Sequence, residues 1–249
     1  MIHVEHIQKS YGKHVILRDV SFDVREKETL VLLGKSGSGK SILLKMLIGL
    51  IKPNAGTIRI DDMDIAAMSY NQLRNERKKF GMLFQEAALF DSLTVKENIA
   101  LALRRQGISR DDEIDRQVRT ALDLVDLGDV ENELPSVLSG GMKKRVGLAR
   151  AIAPNPQYIL YDEPTTGLDP ETADEINLLI ANLRSRLGIT SVVVTHDIHS
   201  AVLVGDRFAI LQGGMILMTG TLEELKNSKD EEVNKYVKEL LSASRINSL

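Results

Sequence analysis

The residues Gly34-Lys35-Ser36-Gly37-Ser38-Gly39-Lys40-Ser41 have the spacing of a loop that cradles phosphates. Glycines let the backbone take positive φ and approach a ligand with no Cβ in the way. The loop's N–H groups and the start of a following helix then point at an anion. Lys40 supplies a point charge for the β- and γ-phosphates, and the Ser41 hydroxyl is a ligand for Mg²⁺. The flanking chain gives this chemistry its context. Leu30-Val31-Leu32-Leu33 reads as a buried strand, and Ile42 to Ile48 as the opening turns of a helix. The implied ligand is a nucleoside triphosphate. A flexible glycine-serine turn would need neither the Lys-Ser pair nor both flanking elements.

Further residues have types that suit phosphate chemistry. Tyr158-Ile159-Leu160-Tyr161 reads as a buried strand ending in Asp162-Glu163. Two acids at the C-terminal edge of a strand in an α/β sheet lie where ligands bind. Asp162 can hold Mg²⁺ through water, and Glu163 can take a proton from an attacking water. Ser191 to Thr195 is another core strand, and His196 at its end falls on the same edge as Lys40 and Glu163. Gln85 ends the strand Phe80 to Phe84. Leu138-Ser139-Gly140-Gly141 opens a helix from Lys143 to Ala153 and forms a second anion-ready helix start, although Ser-Gly-Gly alone is an ordinary cap. Tyr11 sits at the turn of the first strands, where it stacks on an adenine ring or caps the sheet; position alone leaves both open.

Several elements must hold these residues in place. Ile2 to Ile7, Val15 to Leu17 and Val20 to Val24 alternate as half-buried strands, and Thr57 to Ile60 is a strand that returns to them. Tyr70 to Lys79 is a polar helix whose Arg74, Arg77, Lys78 and Lys79 read first as a solvated face and second as a nucleic-acid patch. The loop Glu86 to Val95 is rich in Leu and Phe. Its Leu89, Phe90 and Leu93 either plug the local core or mark an interaction surface. Val95 to Leu103 and Asp112 to Leu127 have helical spacing, with Asp111, Asp112 and Glu113 placed for the helix dipole. Glu171 to Leu187 is an amphipathic helix, 208–218 a hairpin, and Thr221-Leu222-Glu223-Glu224 a capping-box helix start. Asp230 to Leu241 is amphipathic and either packs on the domain or docks a partner.

Composition narrows the class. A chain of 249 residues with ordinary apolar and charged content can bury a full core. Its net charge of -3 disfavours a general nucleic-acid binder. The absence of cysteine excludes a disulfide scaffold and cysteine-based zinc or iron–sulfur sites, and fits a reducing compartment. No signal-peptide pattern opens the sequence, and no apolar run approaches the ~18 residues of a membrane span. The expectation is a soluble protein that meets a membrane through a partner.

In order along the chain, these motifs resemble the nucleotide-binding subunit of ATP-binding cassette (ABC) transporters. The resemblance covers nearly the whole chain and rests on Gly34 to Ser41, Gln85, Leu138-Ser139-Gly140-Gly141, Asp162-Glu163, Gly167-Leu168-Asp169 and His196. It implies an α/β fold of the P-loop NTPase, ABC ATPase type, with an N-terminal antiparallel β subdomain and an inserted helical subdomain. The boundaries implied within a single domain are 1–30 and 56–68 for the antiparallel part and 31–55, 69–85 and 157–220 for a RecA-like core. The helical subdomain then spans 86–156, and a helical tail 221–249. The implied cofactors are ATP and Mg²⁺. Two chains would sandwich two ATP molecules head to tail as a homodimer. Ser139, Gly140 and Gly141 would meet the γ-phosphate held by the partner's Lys40. Tyr11 would stack on adenine, Gln85 would touch Mg²⁺ or the attacking water, His196 would hold the γ-phosphate, and Asp169 would cross the dimer interface. The subunit would sit at the cytoplasmic face of the inner membrane against an integral permease.

Three stretches resemble one branch more closely, the Mla (Ttg2A, Mkl) group. They are Met82-Leu83-Phe84-Gln85 through Ala88-Leu89-Phe90, then Leu93-Thr94-Val95 with Asn98-Ile99-Ala100, and Leu138 to Arg145 with Met142. This implies ATP-driven phospholipid transport between bacterial envelope membranes, with a membrane-anchored MCE-type lipid-binding protein as a further partner. The rival readings are a polar amino-acid importer, a soluble ABC ATPase and a GTPase. The soluble ATPases usually carry a long coiled coil, zinc cysteines or two cassettes, and the GTPase an Asn-Lys-x-Asp motif; this sequence has none of these.

Overall fold

The computed structural model describes residues 1–246, with side chains described up to residue 242. The first elements are strands β1 (Ile2–Tyr11), β2 (His14–Val24) and β3 (Thr29–Leu33), helix α1 (Lys40–Leu47), strands β4 (Ala55–Ile60) and β5 (Met63–Asp64), and helix α2 (Tyr70–Glu76). Then come strand β6 (Phe80–Leu83), helices α3 (Val95–Gln106), α4 (Asp111–Leu124) and α5 (Gly140–Ile152), strand β7 (Tyr158–Asp162) and helix α6 (Pro170–Leu187). The last are strand β8 (Thr190–Thr195), helix α7 (Ile198–Val204), strands β9 (Arg207–Gln212) and β10 (Met215–Gly220), and helices α8 (Leu222–Lys226) and α9 (Glu231–Ile246). The chain forms two compact units, Met1–Arg77 with the chain from Thr190 onward, and Lys78–Ile189. The expected tail 221–249 reaches residues 247–249, which lie outside the described residues.

In the first unit the strands follow the order β5-β4-β1-β2-β10-β9-β3-β8. Two pairing regimes meet here. β1 pairs antiparallel with β2 and β4, and it alternates buried and open positions because one face meets solvent. β3 pairs parallel with β8 and β9, and every residue of β3 and β8 is buried. Continuous apolar runs such as Thr29-Leu30-Val31-Leu32-Leu33 are what a strand covered on both faces requires. Burying each such side chain contributes roughly 1.5–3 kcal/mol. The two runs expected at 15–17 and 20–24 are one strand, and the strand expected at 57–60 returns to β1 as β4.

The polar helix α2 puts its basic residues to different uses. Arg77 sends Nε to the Ile48 carbonyl at 2.8 Å and Nη2 to the Gly49 carbonyl at 2.9 Å, closing the open C-terminal end of α1. It is therefore neither a solvated charge nor part of a nucleic-acid patch. α9 packs on α7 and α8, with Val233 and Leu240 fully buried, so its apolar stripe is core. α7 went unread in the sequence. It follows His196 directly because the Asp197 carboxylate accepts from the His199 and Ser200 N–H groups and caps it.

Arg207, 5 % exposed at the start of β9, joins β9 to β2 and to the turn before β3. Its Nη1 lies 2.9 Å from Glu28 Oε1 and 3.2 Å from Asp23 Oδ2. Burial pulls the guanidinium down, but the hydrogen bond to Asp23 and the charges of Glu28 and Asp23 outweigh it and leave Arg207 above its ordinary range. Glu28 also accepts from the Arg25 N–H at 2.7 Å, so the network holds the turn between β2 and β3.

In the second unit β6 and β7 are parallel, from Phe80 opposite Tyr158 to Leu83 opposite Tyr161. The rings of Phe80 and Tyr158 stack with centroids 4.9 Å apart. β6 stops at Leu83, two residues before Gln85. Between β6 and β7 the chain is helical: α3 starts on a Thr94–Glu97 capping box, and α4 carries Asp111, Asp112 and Glu113 in its first turn. The fully buried Asn98 side chain accepts from the Phe90 N–H and donates to the carbonyls of Phe90, Leu93 and Thr94. This fixes the loop before α3 with Phe90 exposed and Leu89 and Leu93 half-buried. α5 begins at Gly140, three residues earlier than the apolar pattern indicates, because Ser139 caps it.

Two outcomes follow for stability. Arg207→Met leaves Glu28 buried without its cation and should lower the unfolding free energy by about 3–5 kcal/mol, measured by urea denaturation. Asp169 caps α6, and its hydrogen bonds to the Thr172 N–H and hydroxyl hold the carboxyl below the usual aspartate range. A depressed folded-state pKa contributes stability that is present above the unfolded value of about 3.9 and is lost as pH falls through the folded value. Asp169→Ala should therefore melt at a lower temperature than wild type at pH 7, with the gap closing below about pH 3.9 in thermal melts.

Candidate functional site

The phosphate loop is built by β3 and α1. β3 is rigid because it is buried on both faces, and it delivers the chain to Gly34 at the C-terminal edge of the parallel strands. α1 starts at Lys40 with Gly39 as its N-cap at φ +102°. A Cβ at Gly39 would stand 2.9 Å from both Ile16 Cγ2 and Leu17 Cδ2 of β2. Glycine is required there on two counts, backbone conformation and space. The same packing anchors the β1–β2 hairpin, whose tip carries Tyr11, beside the start of α1. Tyr11 is 51 % exposed, with Lys9 Nζ 5.0 Å from its ring centroid, so it does not cap a buried core.

The start of α1 is left open to an anion. Helices α3, α4, α6, α8 and α9 each carry an acidic residue in the first turn, and α3, α6 and α8 are also capped by a side chain. α1 has no first-turn acid and no side-chain cap. Its first N–H groups and the positive end of its dipole therefore face outward. The Ser38 hydroxyl is buried without a hydrogen-bond partner among the described residues. Lys40, 5 % exposed, folds Nζ back onto the Gly34 carbonyl at 2.7 Å and the Lys35 carbonyl at 3.3 Å. An uncapped helix start, an orphaned hydroxyl and a lysine resting on its own loop form a cradle that fits a phosphate chain. Ser41 adds a hydroxyl oxygen suited to a hard cation.

His196 follows β8. Leu33 lies opposite Thr195 in the parallel pairing, so the next residues, Gly34 and His196, share one edge, as the sequence implies for His196 and Lys40. Gly34, Lys35, Ser36 and His196 line a cavity of about 420 Å³. Glu232 and Lys235 of α9 form another wall of it. Glu232 accepts from Gln212 Nε2 at 2.9 Å and pairs with Lys235. The Gln212 hydrogen bond, then the Lys235 bond and the charges of Lys235 and Lys35, keep the Glu232 carboxyl below its ordinary range. Sequence reasoning missed this wall. Its residues come from a helix some 190 positions away, and nothing in their spacing points to the loop.

The second unit carries the other residues. Asp162 ends β7 and Glu163 follows it, 5 % and 8 % exposed. Glu163 has φ +48°, a left-handed conformation that costs a non-glycine residue about 1–3 kcal/mol. The Thr166 N–H donates to the Glu163 carbonyl at 3.2 Å, and the Thr166 hydroxyl lies 3.4 Å from Glu163 Oε2. Ser139 and Gly140 are exposed at the start of α5, and the Ser139 hydroxyl accepts from the Met142 N–H at 3.3 Å. A Cβ at Gly141 would stand 2.6 Å from Thr172 Cγ2, so the start of α5 is packed closely on the first turn of α6. Ser139, Gly140, Gly141 and Asp169 thus lie near one another, with Asp169 exposed. Gln85 is exposed just beyond β6. Its carbonyl accepts from Lys144, a residue that sequence reasoning did not single out. A signal for it exists: Gly141, Lys144, Leu148 and Ala151 recur at helical spacing and are all buried, so a lysine stands in an otherwise apolar stripe.

The chain is similar to known proteins in sequence and in fold. The family model described as "ABC transporter" matches residues 17–166. The probable ribonucleotide transport ATP-binding protein mkl of Mycobacterium leprae is 41 % identical over 236 residues, 95 % of this chain and 68 % of that protein. The methionine import ATP-binding protein MetN of Clostridioides difficile is 39 % identical over 231 residues, 92 % of this chain and 72 % of that protein. Among solved structures, the dimeric ATP-binding cassette MJ0796 in a post-hydrolysis state with ADP and Pi superposes with a TM-score of 0.81 at 34 % identity, covering 89 % of this chain and 98 % of that one. The chain therefore belongs to the ABC transporter family, as an ATP-binding subunit with the ABC ATPase fold that hydrolyses ATP with Mg²⁺.

Proposed function

We propose that this chain works as a homodimer at the cytoplasmic face of the inner membrane and powers phospholipid transport through an integral permease. The observation that carries the ATPase part is the uncapped start of α1 beside Lys40, with His196 on the same strand edge. In this reading the loop from Gly34 to Ser41 binds the triphosphate of ATP, and Tyr11 stacks on the adenine. Glu163 takes the proton of the attacking water. Lys40 and His196 meet the charge that develops on the γ-phosphate. Ser41 and Asp162, with Gln85, are the residues that would hold Mg²⁺. When bound, that ion would supply positive charge against the phosphates. Ser139, Gly140 and Gly141 act on the ATP of the partner subunit, and Asp169 at the interface between subunits. Pairing in this way is supported by the dimeric state of the MJ0796 cassette.

The division of the chain, including its helical tail 221–249, belongs to the same reading. The antiparallel segments 1–30 and 56–68 serve the base, the core 31–55, 69–85 and 157–220 serves the phosphates, and 86–156 faces the permease. Phe90, 57 % exposed in the loop that Asn98 holds, is an apolar group suited to that contact. Among the described residues no helix is long and apolar enough to cross a membrane, so the chain would reach the bilayer through the permease.

The lipid cargo and the MCE-type partner rest on the stretches Met82 to Phe90, Leu93 to Ala100 and Leu138 to Arg145, and on the likeness to mkl, whose own name refers to ribonucleotide transport. A second reading, an amino-acid importer as in the rival above but with an apolar rather than a polar amino acid as cargo, is favoured by the nearly equal identity to MetN, whose name refers to methionine. Tagging the subunit, solubilising membranes in mild detergent and identifying what co-purifies separates them. A permease with an MCE-domain protein and bound phospholipid is the expected result. A permease with an amino-acid-binding protein moves the cargo to the second reading, and no membrane partner overturns transport.

Two variants test the chemistry. Glu163→Gln should bind ATP normally and hydrolyse it about 10²–10⁴-fold more slowly, and wild-type turnover would remove Glu163 from its role. Lys40→Met should weaken ATP binding about 10–100-fold in a nucleotide titration, the loss of a charge-assisted hydrogen bond.

A further inference from the structure

Lys144 stands at a buried position of α5 and is 5 % exposed. Its Nζ donates to the Gln85 carbonyl at 2.5 Å and faces the Glu163 carbonyl at 3.4 Å. Burial pulls its ammonium below the usual lysine range, while the charges of Glu86, Asp162 and Glu163 pull the other way. Burying an ammonium is costly, and an apolar residue of similar volume usually serves stability as well or better. What an apolar residue cannot do is hold two backbone carbonyls at once.

Both carbonyls belong to segments whose conformation needs holding. Glu163 has φ +48°, and Ala87 and Ala88, just after Gln85, have φ +56° and +48°. Such backbone persists only where the surroundings over-determine it. α5 supplies the restraint from one rigid element. Lys144 takes the carbonyls of Gln85 and Glu163, while Arg150 of the same helix takes those of Ala87 and Ala88.

We propose that Lys144 is a positioning residue for ATP hydrolysis, joining the backbone at Gln85 and at Glu163 to the helix that starts at Ser139-Gly140-Gly141. The inference rests on the reading of Glu163 as the group that takes the proton of water. The two hydrogen bonds set the place of the Glu163 carboxylate and of Gln85 relative to α5. A displacement of α5 is thereby passed to both. Lys144 touches neither ATP nor the water, so its loss acts on the rate of the chemical step and not on nucleotide binding.

The test uses the full chain with Lys144→Met, reading kcat for ATP hydrolysis, and Kd for ATP with Mg²⁺ withheld. Misplacing a reacting group by a fraction of an ångström to an ångström should lower kcat about 10–100-fold with Kd changed by no more than about threefold. Wild-type kcat in folded Lys144→Met, with Glu163→Gln slow, overturns the positioning role and leaves the reading of Glu163 standing. Wild-type kcat in Glu163→Gln removes the reading on which the inference rests. A fall in kcat matched by an equal loss of ATP affinity marks a structural role and also overturns it. Should Lys144→Met not fold, Lys144→Gln is judged by the same split. Its amide keeps donors in the site but cannot span both carbonyls as the ammonium does.

Discussion

The start of α1 presents backbone N–H groups that no side chain of the helix caps, beside two lysines, and the first unit is arranged to keep them available to an anion. An uncapped helix start is a liability in a protein that binds nothing there, since each unmet donor forgoes a hydrogen bond. Here the liability is maintained by construction. β3 is buried on both faces and cannot shift. Gly39 has no room for a Cβ against Ile16 and Leu17. α3, α4, α6, α8 and α9 carry an acid in the first turn, α2, α5 and α7 are capped by a side chain, and α1 has neither. In the proposed function the phosphates of ATP complete this part of the structure.

The second unit is governed by a different constraint, that buried cations must find oxygens. Buried Lys144 and half-buried Arg150 of α5 find theirs on the backbone that follows β6 and, for Lys144, also on the backbone that follows β7. Three of the four carbonyls, those of Ala87, Ala88 and Glu163, belong to left-handed residues, which turn the chain away from the ladder that would otherwise use them. The strained backbone at Glu163 and the buried lysine are thus two sides of one arrangement. Arg207 in the first unit follows the same rule with carboxylates, and it serves the turn into β3 rather than the chemistry.

Much of this was legible in the sequence because it depends on local order. Strand, glycine loop and helix around Lys40, the acids that close Tyr158-Ile159-Leu160-Tyr161, and the serine before Gly140-Gly141 are each fixed by neighbours in the chain. Period and caps sufficed to place most of the helices and strands, and family membership follows from the order of the motifs. The misreadings were local too. α5 starts at Gly140 because a cap outranks the apolar pattern, and α7 escaped notice because seven residues after His196 are too few to show a period.

The sequence by itself determined the glycine loop, the helix start behind it and where the strands that carry them lie, since a loop's shape and a strand's burial are set by residues adjacent in the chain. Only the tertiary structure decided which charges are shared across elements. Arg77 closes α1, Glu232 and Lys235 line the cavity beside the phosphate loop, and Lys144 joins Gln85 to Glu163. Each of these links joins residues at least 19 positions apart, and the contact exists only once packing has brought the groups together.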